Sequence, residues 1–423
     1  MMYGTFDVVV LGGGAAGMAS ALEMDRRGWR VAIIERESRL GGILLQCIHT
    51  GFGLIEFDEE LSGPEFAERL SDRIPGSKIT VFVGSTVIGF ESMEEGKGKA
   101  AGQVVTFASA KGVTRLESRA VVLAMGCRER NRGNVRIPGT RPAGIFTAGL
   151  AQRLVNIDGI MPGREVVIIG SGDIGLVMAR RMAWSGARVH AVVEILPRPS
   201  GLPRNVVQCL NDFGIPLYLS HVTTAIKGKD RVRSIEVCPV ESGALAISKA
   251  FELPCDTLLL SVGLVPENEL SRDAGVQLNP ATGGPRVDSQ MMSSKSGVFA
   301  CGNVLHVHDL VDNVVEEARR TGAFVSFWLE GTRPSREIKV KAGSNVRYVC
   351  PGSLDPASNN QVSLRSLVVK DGAQLEIRAG EIVVKRIMKN HVRPSEMITF
   401  NLGTTELGAL AHIDDATIEI SIP

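Results

Sequence analysis

The sequence lacks an excess of either charge: 47 Lys and Arg stand against 46 Asp and Glu in 423 residues, a net charge of +1. Without a basic field, and with only three Trp and three Tyr to stack against exposed bases, nucleic-acid binding is excluded as the main activity. Long apolar runs are also missing. The strongest, Leu258 to Leu264, is broken by Ser261 and Gly263; it falls far short of the roughly 20 residues of a membrane span and reads as a buried strand. The first apolar run, Val8 to Leu11, is too short for a secretory h-region, so a cytoplasmic protein with no membrane span and no cleaved leader is expected. The seven cysteines, at 47, 127, 209, 238, 255, 301 and 350, are odd in number and form no CxxC pair. A disulfide framework, a zinc site and a self-contained iron–sulfur cluster are thereby improbable, and no metal is expected.

What remains is an ordinary globular composition, 44% hydrophobic and 22% charged, long enough for about three domains. Phe6 to Leu11 reads as a strand running into Gly12-Gly13-Gly14-Ala15-Ala16-Gly17, then a helical pattern to Arg27 and a second strand, Val31 to Ile34, that ends at Glu35. In such a βαβ unit Gly12 turns the chain, Gly14 lets the backbone approach a pyrophosphate, Gly17 allows helix–strand packing and Glu35 holds a ribose hydroxyl. The pattern recurs at Val166 to Ile169, Gly170-Ser171-Gly172-Asp173-Ile174-Gly175, a helix to about Ser185 and a strand Val189 to Val193 ending at Glu194. Two dinucleotides are implied. Each unit is followed by an apolar strand ending in glycine, Val121 to Gly126 and Leu258 to Gly263, so the chain reads as an internal duplication. Glu194 favours NAD over NADP, because a carboxylate there accepts from a 2′-hydroxyl and repels a 2′-phosphate. Arg198, a few residues on, is either a phosphate contact or a solvated loop charge.

With both fingerprints, the Leu123-Ala124-Met125-Gly126 segment followed by Ile137-Pro138-Gly139, the Cys255-Asp256 to Pro266 stretch, and Gly297 through Asn303, the chain resembles the two-dinucleotide flavoproteins, the pyridine nucleotide–disulfide oxidoreductases, over roughly residues 5 to 330. The resemblance implies an α/β fold of two Rossmann-like domains, the NAD domain inserted in the FAD domain: 1–143 and 266–332 for FAD, 144–265 for NAD. It implies FAD contacts at Gly12, Gly14, Ala15, Ala16, Gly17, Glu35, Arg36, Gly41, Gly42, Ala124, Gly126, Gly302 and Asn303. The expected NAD contacts are Gly170, Gly172, Asp173, Ile174, Gly175, Glu194 and Gly263. The family's usual Gly-Asp is here Gly302-Asn303, which keeps hydrogen bonding but loses the charge. Asp309 or Asp312 is expected to cap a following helix through Glu316, Glu317 and Ala318. After Gly41-Gly42, where disulfide reductases carry two cysteines, Ile43 to Gly53 holds only Cys47, so a dithiol relay cannot be built.

The Gln46 to Gly53 loop, Gly126-Cys127-Arg128-Glu129-Arg130 and Gly302 to Asp309 are similar to a branch of flavin subunits associated with glycerol-3-phosphate, amine, opine and proline dehydrogenase complexes. That similarity implies an NADH-linked enzyme passing electrons to or from a dehydrogenase or a small cysteine-rich protein. Cys47 and His49 are the candidate catalytic residues, Cys47 either cycling through sulfenic acid or serving as packing. A stand-alone NADH oxidase or peroxidase using Cys47, and a nucleotide-holding scaffold with little catalysis, are the alternatives. His306 and His308, alternating in what reads as a strand, would face opposite ways and so not share a metal. Arg128, Glu129 and Arg130 are a solvated hinge charge run or a partner contact. Beyond Pro334, short alternating runs such as Ile338 to Lys341 and Leu375 to Arg378 predict a small all-β domain over 335–423, either a lid on the FAD domain or a docking surface.

Overall fold

The computed structural model describes residues 2–93, 102–334, 336–413 and 415–423. The chain divides into two compact units: 1–44 with 50–127 and 266–423, and 45–49 with 128–265.

In the first unit Val8, Val9, Val10 and Leu11 are fully buried, the continuous apolar run of a strand covered on both faces. Strand Met2–Leu11 lies between Val31–Ile34 and Gly112–Leu123, parallel to both, with Val8 opposite Val31 and Ala120. It starts earlier than the apolar run alone predicts, because Thr5 pairs with Glu117 across a register shift after Met2. Thr80–Phe82 and Val298–Ala300 extend the parallel part, and Gly102–Ser109 and Ser85–Met93 continue it antiparallel. Helix Ala15–Arg26 packs on helix Val311–Leu329. Gly322 permits that approach, since a Cβ there would lie 2.7 Å from the Ser20 carbonyl.

The C-terminal segment of this unit forms a five-stranded sheet, with Thr417–Ser421 at its middle between Ile338–Ala342 and Lys370–Ala379. Val346–Cys350, Asn360–Ser366 and Met397–Leu402 form a three-stranded sheet. Leu375 and Ile377 are buried while Glu376 and Arg378 are not, the period-two alternation of a sheet with one covered face. A single helical turn, Thr404–Leu407, and the 3-10 turn Gly408–His412 interrupt the strands.

The second unit has a parallel sheet in the order Ile145–Thr147, Thr257–Leu260, Glu165–Ile169, Arg188–Val193, Leu217–Tyr218. An antiparallel set, His221–Gly228, Val232–Glu241 and Phe251–Pro254, accompanies it. The fold is α/β, two dinucleotide-binding folds with a small β domain. Among the described residues no helix is long and apolar enough to cross a membrane.

Candidate nucleotide-binding sites

In the first unit the chain leaves strand Met2–Leu11 through Gly12 at φ +105°, a left-handed conformation that glycine adopts without strain. A Cβ at Gly12 would lie 2.5 Å from the Ala124 carbonyl, one at Gly17 1.8 Å from the Gly12 carbonyl, and one at Gly302 2.8 Å from Ala16 Cβ. These glycines are required by the protein's own packing. Gly14 differs: among the described residues a Cβ there meets nothing within 4 Å, and Gly14 caps helix Ala15–Arg26 with no side-chain hydrogen bond. Open space in front of an uncapped helix N-terminus fits a pyrophosphate. Glu35, 6% exposed, accepts the Gly13 N–H at 2.7 Å and the Glu37 N–H at 2.8 Å. Gly41 donates to the Gly13 carbonyl at 2.9 Å and Gly42 lies against Gly14, while Arg36 is exposed. Ala15 and Ala16 are buried on the same turn, and Gly126, at φ +75°, ends the neighbouring strand connection with open space before it.

The turn after strand Val298–Ala300 is a 3-10 turn over Gly302–Val304. Asn303 Oδ1 accepts the His308 N–H at 2.9 Å, and its Nδ2 donates to Cys127 Sγ at 3.6 Å. His306 and His308 are not in a strand, and their side chains do not diverge. Both Nε2 atoms meet Glu317, at 2.7 and 3.2 Å, with the ring centroids 4.6 Å apart. The Gly302 N–H reaches the same carboxylate at 2.7 Å. Potential ligand atoms of these three residues lie within 4.8 Å of one another, so the ground on which the sequence argued against a shared metal fails. The hydrogen bonding itself favours a clasp. A cation held by both Nε2 atoms would require protonated Nδ1 atoms, and among the described residues neither buried Nδ1 has a hydrogen-bond partner, a costly place for an N–H. Burial alone would raise the Glu317 carboxyl, but His308 and His306 hold it well below the usual carboxylate range. Burial pushes His306 down, against the opposing pull of Glu317.

Neither Asp309 nor Asp312 caps helix Val311–Leu329, whose N-cap is Leu310. Asp312 instead accepts the Gly53, Ile55 and Glu56 N–H groups, at 3.3, 3.1 and 2.8 Å. Asp309 pairs with Arg365 and accepts the Met397 N–H.

The second unit repeats the first cradle. Gly170, at φ +91°, donates to the Val193 carbonyl at 2.8 Å, as Gly12 does to the Ile34 carbonyl at 2.9 Å. A Cβ at Gly170 would lie 2.1 Å from the Ser261 carbonyl, and one at Gly175 2.7 Å from the Gly170 carbonyl. Gly172 caps helix Asp173–Trp184 without a side-chain bond. Glu194, 4% exposed, accepts the Ser171 and Leu196 N–H groups, each at 2.9 Å. The Asp173 carboxylate is committed to the Leu202 N–H and Asn205 Nδ2, at 2.8 and 2.6 Å. Ile174 is half-buried, Gly263 takes φ +102°, and Arg198 is exposed.

Cys47 and His49 are half-buried in the 45–49 segment. Gln46 Nε2 donates to the Gly149 carbonyl and to Gln152 Oε1, at 2.8 and 3.0 Å, and Cys47 Sγ lies 3.8 Å from Gln152 Oε1. Burial pushes the Cys47 thiol up to about 12. Glu129 is half-buried, not a solvated charge: it accepts the Gly149 N–H at 2.8 Å on helix Ala148–Asn156, while Arg128 and Arg130 are exposed. Sequence reasoning missed this carboxylate, Glu317, and the serines around Glu194. Their roles depend on tertiary partners that spacing does not reveal.

An opine oxidase component from Agrobacterium tumefaciens (strain Ach5), named as one of that enzyme's subunits, is 26% identical to the chain over 313 residues, 70% of this chain and 61% of that protein. Hydrogen cyanide synthase subunit HcnB of Pseudomonas protegens is 28% identical over 296 residues, covering 64% and 59%. The chain thus spans about three fifths of the length of these curated relatives. Thioredoxin reductase of T. acidophilum shares the fold with a TM-score of 0.62 at 22% identity, over 76% of this chain and 98% of that structure. The family model for pyridine nucleotide-disulphide oxidoreductases matches residues 6–320. With two duplicated cradles in the structure and that match over most of its length, the chain belongs to the pyridine nucleotide-disulphide oxidoreductase family.

Proposed function

We propose that the protein is an FAD-dependent NAD(P)H oxidoreductase without a redox-active disulfide, with FAD on residues 1–143 and 266–332, and NAD, in preference to NADP, on 144–265. The observation that carries this reading is the duplicated turn. Each has a positive-φ glycine, an uncapped glycine at a helix N-terminus, and a buried glutamate accepting the intervening N–H. When bound, nicotinamide and flavin supply the hydride chemistry themselves. The chain's residues bind and orient. Gly14 leaves open space where a pyrophosphate would sit, the absence of a side chain at Gly172 keeps the second turn clear beside Ser261, Glu35 and Glu194 would hold the ribose hydroxyls, and the Gly302–His308 turn is fixed by Glu317. A thiol raised by burial is protonated at neutral pH, which supports packing over sulfenic-acid cycling for Cys47 and disfavours the peroxidase alternative.

Membership of a larger complex, with electrons passed to or from a dehydrogenase or small cysteine-rich partner, is supported by relatives that are named as subunits. The test is an anaerobic titration of the purified holoprotein with NADH. Bleaching of the oxidised flavin supports the reading, and a flavin left oxidised turns it toward a nucleotide-holding scaffold.

A further inference from the structure

The two cradles differ in the hydrogen bonding of their glutamates. In the first, Glu35 carries the Gly13 and Glu37 N–H groups. In the second, where a serine stands in place of Gly13, Glu194 carries the equivalent Ser171 and Leu196 N–H groups and two hydroxyls besides. Ser171 Oγ donates to Glu194 Oε2 at 2.6 Å, and Ser200 Oγ donates to the same oxygen at 3.0 Å. Each carboxylate oxygen offers about two lone-pair sites; Oε2 takes three of these donors, the Ser171 N–H and the two hydroxyls, and Oε1 takes the Leu196 N–H. A ribose hydroxyl can bind the crowded Oε2 only by displacing one of its three donors.

Three of the four are held by their surroundings. The Ser171 and Leu196 N–H groups belong to the turn and to the chain leaving strand Arg188–Val193, and Ser171 is fully buried. Ser200 is half-buried and sits in the exposed loop that carries Arg198. That loop is anchored independently of the Ser200 hydroxyl. The Ser200 N–H donates to Ser171 Oγ, the Gly201 N–H to the Ser171 carbonyl, and the Leu202 N–H to Asp173.

We propose that the Ser200 hydroxyl occupies the position on Glu194 that the nucleotide's ribose hydroxyl takes, so that Ser200 competes with NAD and sets how strongly the second cradle binds it. This rests on the assignment of NAD to the second unit. Binding exchanges one hydroxyl for another on the same carboxylate, and the displaced Ser200 hydroxyl turns to Ser171 Oγ, 3.2 Å away, or to water. A 2′-phosphate gains nothing from the exchange, because it brings negative charge to Glu194.

The test is calorimetric binding of NAD+ and NADP+ to the oxidised holoprotein for wild type, Ser200→Ala and Ser200→Thr. Ser200→Ala is expected to bind NAD+ roughly three- to tenfold more tightly, the worth of one net hydrogen bond, with NADP+ unchanged. Ser200→Thr keeps the hydroxyl and is expected to match wild type. Loss of affinity for both nucleotides in Ser200→Ala, the result of a merely structural role in the loop, would overturn the proposal, as would an unchanged NAD+ affinity. Wild-type protein that binds neither nucleotide would instead remove the NAD assignment itself, and this inference with it.

Discussion

Cys47 shows how a residue type and its surroundings can point in different directions. A lone cysteine in a glycine-flanked loop suggests redox chemistry, yet its thiol is packed by Gln152 and raised to about 12. At neutral pH that leaves the thiol almost wholly protonated. Alkylation of Cys47 at pH 7 to 8, followed by peptide mass analysis, is expected to be correspondingly slow. Cys47→Ser is expected to leave NADH-driven flavin reduction within about twofold of wild type, and rapid alkylation with loss of turnover would restore the peroxidase reading. The residues legible in the sequence are those whose role is fixed by local geometry. Gly12, Gly17 and Glu35 are dictated by one turn and the strand beside it. Glu317 and Ser200 were not legible, because the Gly302 N–H and the Glu194 carboxylate reach them only through the folded chain.

At the scale of elements, the strands and helices of both cradles follow the apolar runs and glycines closely: Val31–Ile34 has its expected bounds, and helix Asp173–Trp184 ends one residue before the expected Ser185. The Gly302–His308 segment departed from expectation because alternation over three residues does not distinguish a strand from a turn that folds both imidazoles onto one helix. The cap expected from Asp309 or Asp312 failed for a related reason. Both carboxylates find stronger calls on them from neighbouring chain, the 53–56 loop and Arg365. The two helix N-termini allow a paired test. Because a Cβ on Gly14 meets nothing within 4 Å among the described residues, Gly14→Ala leaves the protein's packing intact while filling space assigned to a pyrophosphate. It is expected to lower FAD affinity about tenfold or more, and Gly172→Ala, whose Cβ also lies 3.3 Å from Ser261 Oγ, to lower NAD+ affinity with FAD content retained. Measured flavin stoichiometry and NAD+ calorimetry check both, and loss of both nucleotides from either variant would contradict independent cradles.

For the whole molecule, buried titratable groups tie stability to pH. His306 is held below its ordinary value by burial, so the unfolded chain binds a proton at about 6.5 that the folded chain refuses. Stability is therefore present above that value and lost as pH falls through it. Glu317, held well below the usual carboxylate range by His308 and His306 against its burial, adds a loss in the same direction at lower pH. Asp288, pushed up to about 6 by burial and by Glu337, has the opposite sign: its contribution is largest at low pH and is lost as pH rises toward 6. The two overlap near 6 with opposite signs, so the His306 contribution is read from the difference between wild type and a His306 variant. The melting temperature is expected to fall between pH 7 and 6, and His306→Asn to flatten that fall; an equal slope in the variant would assign the loss elsewhere. The proposed hydride transfer from NADH to FAD is tested most directly by anaerobic titration of the FAD-loaded protein with NADH, then separately with NADPH, followed in the visible spectrum. Bleaching by NADH at about one equivalent per flavin is predicted, with NADPH less effective. A flavin that remains oxidised in excess NADH would contradict it.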